Sequence, residues 1–193
     1  MFTGIISHLG TVEKKTTTSL TVQTDKELIK KLTLGSSIAV NGTCLTVVST
    51  TKDAFTINYM PETEQKTTIK YLKEGTEVNL ELPATADTLL SGHIVQGHVD
   101  SIGKIIAINK AGNSLIFTFA IPKSLSKYLV KKGSISVNGI SLTVISITKD
   151  HFTVGIIPHT WEHTMLHAAK VGDYVNLEVD ALAKYVEKLI KAK

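Results

Sequence analysis

Residues 37–63 read SIAVNGTCLTVVSTTKDAFTINYMPET, and residues 134–160 read SISVNGISLTVISITKDHFTVGIIPHT. At a constant offset of 97 the two stretches agree at 16 of 27 positions. The register runs on without a gap to Gly75 against Gly172 and to V-N-L-E at 78–81 against 175–178. The starts correspond at a slightly shorter offset, Thr3-Gly4-Ile5 against Gln96-Gly97-His98. Self-similarity of this extent means one supersecondary module repeated in tandem.

Inside each copy the pattern is mostly strand. Residues 37–49 and 134–146 are rich in Val, Ile, Leu and Thr, and each is broken by an Asn-Gly pair, which tolerates positive φ and marks a tight turn or bulge. Lys52-Asp53 and Lys149-Asp150 join two β-rich runs as hairpin connections. Stretches 20–24, 77–82, 114–120 and 174–179 also read as extended, with short helical breaks at 26–32 and 123–130. Short strands with frequent turns predict a small closed barrel in each half, joined by a linker around 83–90.

With 42% hydrophobic and 20% charged residues, the chain can bury a core and is not a disordered sequence. No apolar run approaches the roughly 20 residues of a membrane span. The start, Met1-Phe2-Thr3-Gly4, has no basic region leading into an apolar one, which argues against a secretory signal. One cysteine, Cys44, precludes an internal disulfide and suits a reducing cytoplasm. The net charge of +4 comes with no arginine at all, and the lysines are scattered. Arginine makes the commonest base-specific contacts, so the charge reads as a solvated surface and not as a nucleic-acid footprint.

The tail differs between the copies. Leu182, Tyr185, Val186 and Leu189 fall at the spacing of an amphipathic helix, and copy one has no counterpart. Three turns of helix gain little stability alone, so this one must dock. Another subunit is favoured over its own barrel.

Duplication suggests two similar pockets, and the differences between copies become informative. Cys44 stands opposite Ser141, Glu62 opposite His159, and Asn58 opposite Gly155. A thiol with an ordinary pKa of about 8.5 becomes a nucleophile beside a cation or dipole, although a lone cysteine on an apolar strand is more often a small buried hydrophobe. His93 and His98 lie in S-G-H-I-V-Q-G-H-V-D, and imidazole suits proton transfer near neutrality. The pair lacks a third His, Cys or carboxylate cluster, which argues against a metal. Thr46, Thr63, Thr143, Thr160 and Ser141 supply hydroxyls for a polyol or heterocycle, against the ordinary reading of strand propensity.

The motifs M-F-T-G-I-I, V-N-G-T-C-L-T-V, M-P-E-T, G-H-I-V-Q-G-H-V-D, V-N-G-I-S-L-T-V and N-L-E-V-D-A-L-A-K-Y-V-E together resemble the riboflavin synthase family of the α-chain type, from end to end. The resemblance implies two six-stranded antiparallel Greek-key barrels, 1–88 and 89–180, and a C-terminal helix, 181–193, that builds a homotrimer. It implies dismutation of two 6,7-dimethyl-8-ribityllumazine molecules by transfer of a four-carbon unit, giving riboflavin and 5-amino-6-ribitylamino-pyrimidinedione, with no cofactor and no metal. The N-terminal barrel of one subunit would face the C-terminal barrel of a neighbour, and lumazine synthase comes into view as a partner.

By the same resemblance Cys44, His98 and Ser37 are the catalytic candidates. Gly4, Thr46, Asn58, Met60, Thr63 and Val99 would bind substrate in the first barrel, with Phe2 at the edge. Lys132, Ser141, Thr143, Ile157 and Thr160 would do so in the second. The sequence departs from the family pattern at Asn58 and Asn138, where relatives often carry Asp, at His159, where they carry Glu, and at Gln65 and Lys66, where arginine follows P-E-T. An amide at Asn58 or Asn138 could still hydrogen-bond the substrate's pyrimidine edge. The rival expectation is a non-catalytic lumazine- or flavin-binding antenna protein, which would lack the reactive cysteine and the histidines.

Overall fold

The computed structural model describes residues 1–191, so the last two residues of the 181–193 tail lie outside it. The two copies form two closed antiparallel barrels of six strands each. In barrel one the strands are β1 (His8–Lys15), β2 (Ser19–Gln23), β3 (Ser37–Val40), β4 (Thr43–Thr50), β5 (Ala54–Asn58) and β6 (Glu77–Glu81). In barrel two they are β7 (Ser101–Ala111), β8 (Ser114–Ala120), β9 (Ser134–Val137), β10 (Ile140–Ile147), β11 (His151–Ile156) and β12 (Tyr174–Val179). The spatial order β1-β2-β5-β4-β3-β6 repeats as β7-β8-β11-β10-β9-β12.

Bulges recur at matching places, at Val12/Lys14 and Ile105/Ala107 and again at Val47/Ser49 and Val144/Ser146. They supply the local bend and twist that let six short strands close on themselves. Each barrel has its own core, around Phe55, Ile57 and Leu80 in one and Phe117, Phe119 and Phe152 in the other.

Short helices connect the strands: α1 (Lys26–Lys31), α2 (Pro61–Lys66), α3 (Lys123–Ser126) and α4 (Pro158–Glu162). The helical break expected over 123–130 is thus shorter than its sequence suggests. A final helix, α5, spans Ala181–Lys191. Its Lys184 reaches Asp100 at 2.6 Å, and its Glu187 bonds Lys127 and Tyr128, so its polar side rests on barrel two. Leu182, Tyr185, Val186, Leu189 and Ile190 stay exposed. The helix thus docks on the chain's own barrel through its polar side and leaves its apolar stripe open.

The barrels meet across an approximate twofold axis. The two Asn-Gly turns touch there, and a Cβ on Gly42 would lie 2.5 Å from the Gly139 nitrogen, so only glycine fits. Asn41 and Asn138 adopt the left-handed backbone, at φ +45° and +46°. Their side chains accept the backbone N–H of Asn79 (2.8 Å) and of Asn176 (2.7 Å). Asn79 and Asn176 in turn donate across the axis to the carbonyls of Asn138 and Asn41. Every member of this buried amide ring is partnered, as a buried polar group requires. Asn138 is thereby placed in the contact between the barrels.

Candidate active site

The segments leading into each barrel cross over to the other one. Phe2 and Val95 pair with each other on the backbone, N to O at 2.7 and 3.1 Å. Beyond them, the carbonyl of Gly97 takes the N–H of Cys44 at 2.9 Å, and the carbonyl of Gly4 takes the N–H of Ser141 at 2.8 Å. Both glycines have positive φ, and a Cβ at either would fall 2.6 Å from the Cβ of Cys44 or of Ser141. The leader of copy two therefore completes the rim of barrel one, and the leader of copy one completes the rim of barrel two.

At barrel one this brings Cys44 and His98 into one cleft of about 410 Å³, whose walls include Glu62, Thr63, Lys66 and Val99. Cys44 is half-buried and His98 exposed. Phe2 lies beneath, fully buried with Ala39 and Val95 in a small cluster that Cys44 packs against. It shapes the floor instead of touching the cleft. Ser37, Thr46 and Asn58 occupy one cross-strand row on the outer face of the same barrel, Ser37 opposite Thr46 and Thr46 opposite Asn58. Met60 is exposed just before α2, which carries Glu62, Thr63 and Lys66.

At barrel two the matching positions hold different chemistry. Ser141 replaces Cys44 and Ile5 replaces His98. His93 approaches Ser141 from outside the repeat, its Nδ1 2.7 Å from the Ser141 Oγ. Burial holds the His93 pKa below its ordinary value, with Asp180 pulling the other way, so the ring is neutral at pH 7. Opposite Glu62 and Lys66 stand His159 and His163, stacked with ring centroids 4.3 Å apart. Thr143 is exposed on β10, Ile157 precedes α4 and Thr160 lies within it. Lys132, opposite Gly35, sits at φ +68°, an unfavourable backbone for lysine.

Sequence reasoning missed two groups. Glu81 and Glu178 are buried on the last strand of each barrel and hold the crossing leaders by their backbone N–H groups. The signal was available: an acid inside a twice-repeated V-N-L-E strand has no reason to be there as a core residue. His93 was singled out by its imidazole, but it has no counterpart in the other copy, and its contact with Ser141 emerges only in the fold. No group of three or more metal-ligating side chains occurs among the described residues, and none of the described helices is long and apolar enough to cross a membrane.

The lumazine binding domain family model matches the chain twice, over residues 3–83 and 96–180. Riboflavin synthase of Bacillus subtilis (strain 168) is 42% identical over 194 residues, covering 98% of this chain and 90% of the relative. The riboflavin synthase of Mycobacterium tuberculosis (strain ATCC 25618 / H37Rv) is 43% identical over 200 residues, covering 100% and 99%. Among solved structures, LumP complexed with 6,7-dimethyl-8-(1'-D-ribityl) lumazine superposes with a TM-score of 0.83 at 25% identity, over 93% of this chain and 99% of that one. LumP complexed with riboflavin gives 0.85 over the same coverage. With a family match in each barrel and whole-length relatives above 40% identity, the chain belongs to the lumazine-binding riboflavin synthase family.

Proposed function

We propose that the chain is a riboflavin synthase, joining two 6,7-dimethyl-8-ribityllumazine molecules by transfer of a four-carbon unit to give riboflavin and 5-amino-6-ribitylamino-pyrimidinedione. The observation that carries this reading is the meeting of Cys44 and His98 in one cleft while Ser141 and Ile5 hold the equivalent place in the other barrel. Two like heterocycles need two like pockets, and a reaction in which one donates and the other accepts needs the pockets to differ.

Holding two reactants in register can supply roughly 7–11 kcal/mol of barrier lowering. What remains is proton movement at the acidic C7 methyl group and addition of a nucleophile at C7. His98, exposed in the cleft, is the general acid–base; Cys44 or Ser37 activates water or stabilises the adduct. The hydroxyl and amide row of Thr46 and Asn58, with Met60, Thr63 and Val99, holds one substrate. Ser141, Thr143, Ile157, Thr160 and Lys132 hold the other.

The barrels of one chain touch backbone to backbone at Gly42 and Gly139, which leaves no room there for two stacked ring systems. That contact, together with the open apolar stripe of α5, supports a pairing of unlike pockets between chains, in a cytoplasmic homotrimer assembled through that stripe. Incubation with the ribityllumazine alone tests the function. Growing riboflavin fluorescence supports the enzyme, whereas a stable bound-lumazine spectrum supports the antenna-type reading that the LumP likeness raises.

A further inference from the structure

We infer that Glu178 is a positioning residue for this reaction: from barrel two, its carboxylate holds the peptide that sets His98 against Cys44 in barrel one. The inference rests on the reading above, that Cys44 and His98 act together.

Glu178 is 3% exposed, and each of its oxygens accepts a backbone N–H, from Gln96 at 2.6 Å and from Gly97 at 3.0 Å. The far side of the same residue is fixed as well, since the Gly97 carbonyl takes the Cys44 N–H at 2.9 Å. Gly97 has φ +80° and no space for a Cβ against Cys44. The peptide is thus pinned from both barrels, and His98 is the next residue. The device is built twice. Glu81 takes Thr3 N and Oγ1 and Gly4 N at 2.6, 2.7 and 3.1 Å, and the Gly4 carbonyl holds the Ser141 N–H. There the next residue is Ile5, which cannot move a proton. Only the Glu178 copy stands behind an ionisable cleft residue.

Both Glu178 oxygens accept at full strength only when the group is ionised. Burial pushes its pKa up to about 7, against the two N–H donors; Lys184 beside it pulls downward and Asp100 pushes upward. As pH falls through about 7, one oxygen becomes a weaker acceptor and the peptide slackens.

Glu178→Gln places an amide NH2 against a backbone N–H. The protein is expected to melt cooperatively and to keep KM for the ribityllumazine within about threefold. Its kcat should fall by on the order of 20-fold or more, since misplacement by an ångström can cost about 100-fold. The acid limb of the kcat–pH profile near 7 should flatten, while Glu81→Gln keeps that limb. Wild-type kcat and pH profile in Glu178→Gln, or equal loss of the limb in Glu81→Gln, overturns the inference and leaves the enzyme reading intact. A wild-type chain that makes no riboflavin overturns the reading beneath it. If Glu178→Gln does not fold, Glu178→Asp, with its charge kept and its reach shortened, must show the kcat loss; wild-type kcat there is refuting.

Discussion

Lys132 offers a separable test of backbone strain and side-chain function. It stands at φ +68° with its N–H bonded to the Val144 carbonyl at 2.8 Å. Gly35, its counterpart in barrel one, stands at φ +84° with its N–H bonded to the Val47 carbonyl at 2.9 Å. The two turns have the same shape, but only one has the residue suited to it. Left-handed backbone costs a residue with a Cβ roughly 1–2 kcal/mol, and glycine's extra unfolded-state freedom returns about 0.5–1 kcal/mol of that. Lys132→Gly should therefore be more stable than Lys132→Ala by about 0.5–1 kcal/mol, or about 1–4 °C in Tm for a chain of this size.

Both variants lose the ammonium group. If it bonds substrate, each should raise KM, by about 10-fold or more for a charge-assisted hydrogen bond. Calorimetry and steady-state kinetics on the two variants read these effects apart. A glycine variant less stable than the alanine variant refutes the strain argument, and wild-type KM in both refutes the binding role.

Cys44→Ala and His98→Ala should each lower kcat by about 100-fold or more with much smaller changes in substrate affinity; near wild-type turnover in both removes the catalytic assignment. Glu178 binds its proton more tightly folded than unfolded, so its contribution to stability is fully present below about pH 4.5 and is lost as pH rises through about 7. Melting from pH 5 to 8.5 should fall in wild type relative to Glu178→Gln by up to roughly 3 kcal/mol, and parallel curves would count against it. Gly42→Ala should cost roughly 3 kcal/mol or more by equilibrium denaturation, because the new Cβ meets the Gly139 backbone at 2.5 Å and φ is +72°; a near-neutral result contradicts the tight axis. A chain ending at Asp180 should sediment as a smaller species than the full chain, and two trimers would show that α5 is not the assembly element.

The repeat made the barrels legible, because an offset of 97 carried every strand from β2 onward into its twin. The first strand of each barrel was harder to see. β1 and β7 carry little alternation, and the offset changes from 93 to 97 across their hairpins, so the matching register breaks there. Cys44 and His98 were visible as reactive residue types, and their meeting was not: 54 residues separate them, and it is a crossing leader that joins them. The buried amide ring escaped for a related reason. Asn41 and Asn138 look like ordinary turn residues, and only packing one turn on the other makes their side chains structural.

Comparison of the two copies separates frame from site. At the axis and the leader clamps the copies agree: Asn41 and Asn138, Gly42 and Gly139, Asn79 and Asn176, Glu81 and Glu178, Gly4 and Gly97. They disagree around the rims, at Cys44 and Ser141, His98 and Ile5, Glu62 and His159, Lys66 and His163. Packing about a twofold axis requires its contacts to be self-complementary, so a change in one copy there is penalised by the other. No such constraint acts on the rims. A reaction between two identical molecules begins with no distinction between donor and acceptor, and a pair of identical pockets would not create one. The rim differences supply that distinction, so replacing them in pairs should erase direction before it erases binding.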